Sequence, residues 1–149
     1  MSSLLLVPCD DLQAAQALVR GNMAEDYQRH GLSWDEEGFT QRWPGQEWRW
    51  LMVAGRRCGL LAWEVLDARL YLRELQVMAD ERGQGLGSLA LARVEQEAMA
   101  QGCTAVRLKV LSGSRAAALY RRCGYQQVQE ASTPWGQVWG LEKEMPSKI

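Results

Sequence analysis

The spacing of apolar residues changes along the chain, and each change marks an element. Leu4-Leu5-Leu6-Val7 is a short apolar run that reads as a first strand, ended by Pro8. Asp10 or Asp11 can cap a helix over Leu12 to Arg20, and Met23, Tyr27 and His30, at i, i+4 and i+7, outline a second helical region. Ser33-Trp34-Asp35-Glu36 has the form of a capping box opening a short helix to Trp43, which Pro44-Gly45 breaks. Trp50 to Ala54 and Cys58 to Leu66 read as strands around a Gly55-Arg56 turn, followed by a strand from Leu70 to Val77. From Ser88 to Gln101 the period becomes helical: Gly87, Ala90, Leu91, Val94 and Ala98 fall on one stripe, and Gly102 is placed to end the helix. Val106 to Val110 alternates as a strand, Ala116 to Arg122 is a short helix closed by Gly124, and Tyr125 to Gln129 and Val138 to Met145 are two last strands. The order β-α-α-β-β-β-α-β-α-β-β predicts an α+β fold with about seven strands and four helices.

Length and composition narrow the class. A chain of 149 residues, 47% hydrophobic, suits one globular domain over 1–149. The net charge of -1 and the lack of a basic cluster argue against a nucleic-acid partner. Four scattered cysteines and one histidine form no metal-ligand spacing, so no metal site is expected and the thiols read as reduced. The start, from Met1 to Asp10, has no cationic leader, and its apolar run is too short for a signal peptide or a span. A cytoplasmic protein without membrane attachment is the expectation. Four of the seven tryptophans crowd into Trp34, Trp43, Trp48 and Trp50. Packing explains most of them, and one or two can line a pocket for a cationic or apolar ligand.

Arg82-Gly83-Gln84-Gly85-Leu86-Gly87 is the most informative stretch, because it joins a strand to a helix. Uncovered amides and the positive end of a helix dipole point the same way there, which suits a phosphate-bearing ligand; a tight turn is the plainer reading. The loop is not a P-loop, since Gly87 is followed by Ser88-Leu89 without a lysine. It is not a dinucleotide fingerprint either, because its spacing is G-x-G-x-G and it sits in mid-chain.

Arg82, Gly85 and Gly87 match the R/Q-x-x-G-x-G/A signature of the GNAT superfamily of acyl-CoA-dependent N-acyltransferases, which this chain resembles. Leu75-Gln76-Val77 is similar to the family's L-x-V, at the end of the strand that splays and receives the pantetheine arm. Leu108-Lys109-Val110 and the run from Ala116 through Leu119-Tyr120 to Gly124-Tyr125 resemble the second motif, A-x-x-L-Y-x-x-x-G-F/Y. Members often carry Asn where this chain has Gly113, and Ser112 or Ser114 offers a hydroxyl instead. Tyr71-Leu72-Arg73-Glu74-Leu75-Gln76-Val77-Met78 also resembles the Y-L-E-D-x-x-V-M of diamine (spermidine/spermine) acetyltransferases, with Arg73 in place of the first acid. A cation there disfavours a polycationic substrate.

The resemblance implies a GNAT fold with a mixed sheet whose strands splay at the acyl-CoA site. It also implies transfer of acetyl from acetyl-CoA to a primary amine of a small molecule, by direct attack in a ternary complex. Arg82, Gly83, Gln84, Gly85, Leu86, Gly87 and Ser88 would cradle the pyrophosphate, and a strand amide near Leu75 or Val77 would polarise the thioester carbonyl. Tyr120 matches the family tyrosine that protonates the departing thiolate; outside the motif it reads as a packed helix tyrosine. Glu74 is the candidate general base, with Glu64 second, and an ion-pair partner is its alternative role. Arg73 reads as a solvent-facing strand residue or as a fork for a substrate carboxylate. Trp34 belongs to the expected acceptor wall, which runs from the first helices to Trp50 and includes a loop at Ser132 to Gly136. His30 reads as a surface residue. Homodimers are common in the resembling family. A protein or peptide N-acetyltransferase and a non-catalytic acyl-CoA-binding module remain the rival readings.

Overall fold

The computed structural model describes residues 3–146, so Met1, Ser2 and the last three residues of the expected 1–149 domain lie outside it. Seven strands and four α-helices follow in the expected order: β1 (Leu4–Pro8), α1 (Leu12–Arg29), α2 (Glu36–Arg42), β2 (Glu47–Val53), β3 (Arg56–Leu66), β4 (Arg69–Val77), α3 (Leu86–Ala100), β5 (Ala105–Leu111), α4 (Arg115–Arg122), β6 (Gln126–Thr133) and β7 (Gly136–Glu144). The sheet is mixed, with strand order β1-β2-β3-β4-β5-β7-β6. β4 and β5 pair in parallel, and β1 with β2, β2 with β3, β5 with β7 and β6 with β7 pair antiparallel. Two compact units divide the chain, residues 3–63 with 74–86 and residues 64–73 with 87–146.

In the first unit, α1 and α2 lay apolar residues against β2 and β3. Ala15 and Val19 of α1, Phe39 of α2, and Trp48, Trp50, Leu60 and Ala62 are all buried. The tryptophans are chiefly core, as expected: Trp43 and Trp48 stack with centroids 4.6 Å apart, and Phe39 sits 5.3 Å from Trp48. Three expectations are corrected here. α1 is one helix running through Gly21 to Arg29, and Met23, beyond the glycine, is still half-buried against the core. The cap of α2 is Asp35, which accepts from the Gly38 N–H at 2.9 Å, and not Ser33. The β2–β3 turn is Ala54-Gly55, both at positive φ (52° and 75°), with Val53 facing Arg56. Two left-handed residues match the twist of a hairpin, and alanine is strained in the first position. Ala54→Asn is expected to raise stability by about 1 kcal/mol, read from urea unfolding.

In the second unit α3 buries Ala90, Leu91, Val94 and Ala98, the stripe read from its period. It ends at Gly102 (φ 73°), where the Cys103 N–H reaches the Ala98 carbonyl at 2.8 Å. β6 extends to Thr133 and β7 begins at Gly136, so the stretch expected as a loop at Ser132 to Gly136 is the tight end of a hairpin. Glu95 of α3 accepts from the Tyr125 hydroxyl and from Lys143 Nζ, each at 3.0 Å. Burial and this carboxylate push the Tyr125 phenol far up, so it stays protonated.

Candidate active site

The last residues of β4 carry the first part of the site. β4 and β5 are registered only from Arg69–Ala105 to Leu72–Leu108, although β4 continues to Val77 and β5 to Leu111. A parallel ladder that stops early leaves strand amides without their usual partners. In the first unit, Gly59 of β3 faces the end of β4 so closely that a Cβ there would run into the Gln76 carbonyl. Glu74 is partly buried, and that burial raises its carboxyl above the ordinary range. A hydrogen bond from Gln76 Nε2 to Glu74 Oε1 (2.8 Å) and the charge of Arg42 act in the opposite direction. A carboxylate poised upward in this way suits a base working near neutral pH.

The chain then turns into the glycine loop. The Met78 N–H bonds to the Cys58 carbonyl at 2.8 Å, and a single 3-10 turn, Ala79–Glu81, follows. Glu81 is buried and takes a two-pronged bond from Arg56 of β3 at 2.7 and 3.2 Å, which holds its carboxyl below the usual range. Arg82 Nε reaches back to the Val77 carbonyl at 3.3 Å. Gly83 and Gly85 take φ of 79° and 76°, and no atom lies within 4 Å of where a Cβ would stand on either. α3 begins at once with Leu86, so the amides of its first turn have no acceptor inside the helix. An open concavity lined by amides at a positive helix end fits a pyrophosphate. Gly87 has a different role. A Cβ there would meet Leu119 Cδ2 at 2.8 Å, so its bareness serves the packing of α3 against α4.

Tyr120 lies in the second unit on α4, 8% exposed, with its ring edge-on to Tyr125 at 6.0 Å. Ser114 caps α4, accepting from the Ala117 N–H at 3.2 Å and donating to the Leu111 carbonyl at 2.8 Å. Its hydroxyl is thus occupied by the helix and does not replace the family asparagine, while Gly113 is exposed beside it. Arg73 is paired through Nε with Glu64 Oε2 at 3.4 Å and lies over the Tyr71 ring at 4.8 Å. That pair offsets the Arg73 charge and commits Glu64, leaving Glu74 as the carboxylate without a cation hydrogen-bonded to it among the bonds of the described residues.

Glu74, Leu75, Val77 and residues 82–86 share the first unit with Trp34, whereas Arg73, Gly87, Ser88 and Tyr120 belong to the second. Trp34 Nε1 donates to the buried Gln16 Oε1 at 2.8 Å, and the ring lies 5.8 Å from Tyr27. Together with Arg20, Ala24, Gln28 and Leu32 these rings line a cleft of about 290 Å³. His30 caps the end of α1 on the surface. The sequence reading missed Arg56, Glu81, Asn22 and Gln76. Asn22 was legible as a polar residue in the buried stripe of α1, at i+7 from Ala15.

The acetyltransferase (GNAT) family model matches residues 24–125. The chain belongs to the GNAT family. Among curated relatives, thialysine N-epsilon-acetyltransferase of Bos taurus is 40% identical over 63 residues, 42% of this chain and 37% of that protein. The Sus scrofa protein of the same name is 36% identical over the same shares. The chain thus spans little more than a third of the length of these GNAT relatives. Among solved GNAT structures, the ribosomal-protein-S18-alanine N-acetyltransferase of Escherichia coli superposes with a TM-score of 0.74 at 22% identity, covering 100% of this chain and 97% of that one. An aminoglycoside 6'-N-acetyltransferase complexed with coenzyme A gives 0.74 at 12% identity, covering 97% and 99%. These likenesses establish the GNAT fold. Among the described residues, no helix is long and apolar enough to cross a membrane.

Proposed function

We propose that this chain is a cytoplasmic, single-domain N-acetyltransferase that moves the acetyl group of acetyl-CoA to a primary amine of a small molecule, by direct attack in a ternary complex. The observation that carries the reading is the loop at the amino end of α3, where Gly83 and Gly85 at positive φ leave open the space a Cβ would fill. Acetyl-CoA supplies an activated acyl group. The amides of residues 82–88 hold its pyrophosphate, and a backbone amide near Leu75 or Val77 polarises the carbonyl. Glu74 takes the proton of the incoming amine, directly or through water, and Tyr120 returns one to the leaving thiolate. The relatives named for thialysine support an amine that also bears a carboxylate. Arg73 and Trp34 are the acceptor contacts this reading proposes.

Incubation with acetyl-CoA and a pooled panel of polyamines, amino acids (thialysine and lysine included), aminoglycosides and short peptides tests the reading by mass spectrometry. The expected result is one small primary amine gaining an acetyl group. Acetylation of peptides alone, or acetyl-CoA bound intact without product, overturns it. The cradle has its own test. Gly85→Ala forces alanine into a left-handed conformation that costs about 1–2 kcal/mol and places a methyl in the concavity. Roughly tenfold weaker CoA binding is expected by calorimetry.

A further inference from the structure

Glu74 has a built support. Residues two apart on a strand share a face, so Gln76 stands beside it, with Nε2 2.8 Å from Glu74 Oε1. The other end of that amide is also engaged, since Gln76 Oε1 accepts from Asn22 Nδ2 of α1 at 3.1 Å. Asn22 Nδ2 donates as well to the Val77 carbonyl, again at 3.1 Å. A primary amide has one accepting end and one donating end. With its oxygen held by Asn22, Gln76 can offer Glu74 only its N–H₂. Released, the same side chain can rotate and turn its oxygen toward the carboxylate, a contact that only a protonated Glu74 would satisfy.

We propose that Asn22 and Gln76 are positioning residues that act in series: Gln76 holds the Glu74 carboxylate in place as a proton acceptor, and Asn22 fixes which end of Gln76 faces it. This rests on the reading of Glu74 as general base. The Asn22–Val77 bond adds a second consequence. The same helix residue holds the carbonyl at the end of β4, where the chain departs for the glycine loop, a contact separate from the one that orients Gln76. The charged group that faces Glu74 from a neighbouring element is Arg42 of α2, which favours the ionised form and is untouched by either substitution.

The test is a carbon-13 titration of the protein labelled at its glutamate carboxyl carbons, with the Glu74 signal assigned by its loss in Glu74→Gln. Gln76→Met keeps the length and removes the donor, and the Glu74 midpoint is expected to move to higher pH. Asn22→Leu is expected to move it the same way by less, and the double variant to match Gln76→Met alone, because Asn22 acts through Gln76. An unmoved midpoint in Gln76→Met overturns the proposal, as does a double variant that shifts by the sum of the two. The titration needs no acceptor amine, so failure of the base assignment is separable. Midpoints that move as expected, with an acidic limb of kcat that survives in Glu74→Gln, leave the series intact and remove its catalytic meaning.

Discussion

Tyr120→Phe lowers kcat by about 100-fold or more and leaves CoA affinity unchanged. General acid catalysis by a placed side chain is worth roughly 10²–10⁴ in rate, and the substitution removes one oxygen without disturbing the ring. The ring is buried edge-on to Tyr125, and phenylalanine keeps that packing. Tyr125 is the internal control. Its hydroxyl already donates to Glu95, and its phenol is pushed upward by burial and by that carboxylate, so its proton is not available to a leaving thiolate. Tyr125→Phe therefore keeps kcat and loses about 1.5–3 kcal/mol of stability, the worth of a hydrogen bond to a charged group. Single-turnover kinetics separate the chemical step from product release, and CoA titration reads binding. Equal rates in Tyr120→Phe and wild type would remove Tyr120 from the mechanism.

What the sequence disclosed and what it hid divide along the range of the interactions. The strands, α3 and the glycine loop are local patterns, and they appear where the periods of Leu70 to Val77 and of Ala90 to Ala98 place them. Gly21 weakens a helix by about 1 kcal/mol relative to alanine, and α1 runs through it with Met23, on the far side, still packed on the core. Asp35 and Ser33 are both good caps, and no local rule ranks two candidates two residues apart that differ in how the following turn packs. The turn falls at Ala54-Gly55, one residue before the expected Gly55-Arg56, since alanine in a left-handed conformation is uncommon and only the register of Val53 with Arg56 demands it. The Arg73–Glu64 pair joins neighbouring strands, and the Asn22–Gln76 bond spans 54 residues of sequence. A period shows that Asn22 faces inward. It does not show what it meets there.

Glu74→Gln is expected to lower kcat by roughly 100-fold or more and, at pH 7, to raise the melting temperature. The two effects have one cause. Burial raises the Glu74 carboxyl above its ordinary value, so the folded protein holds this proton more tightly than the unfolded chain does. Below about pH 4, near the free glutamate value, both states are protonated and the substitution changes stability little. As pH rises past that point the unfolded chain ionises first, and wild type loses stability relative to the variant. The loss continues until Glu74 ionises in the folded protein, after which the difference is constant. Gln76 Nε2 can still donate to the new amide oxygen, so the variant keeps the bond and sheds the buried charge. Melting curves at pH 4 and pH 7.5, beside pH–rate profiles, check both halves. A variant that is inactive and also less stable at pH 7.5 would make Glu74 a structural partner, with Arg42 the nearest candidate to need its charge. A variant that is more stable but turns over as wild type, with the acidic limb intact, would pass the role of base to another group. Inactive and more stable is the outcome a strained base requires, because a carboxylate kept ready for a proton is one the fold would be more stable without.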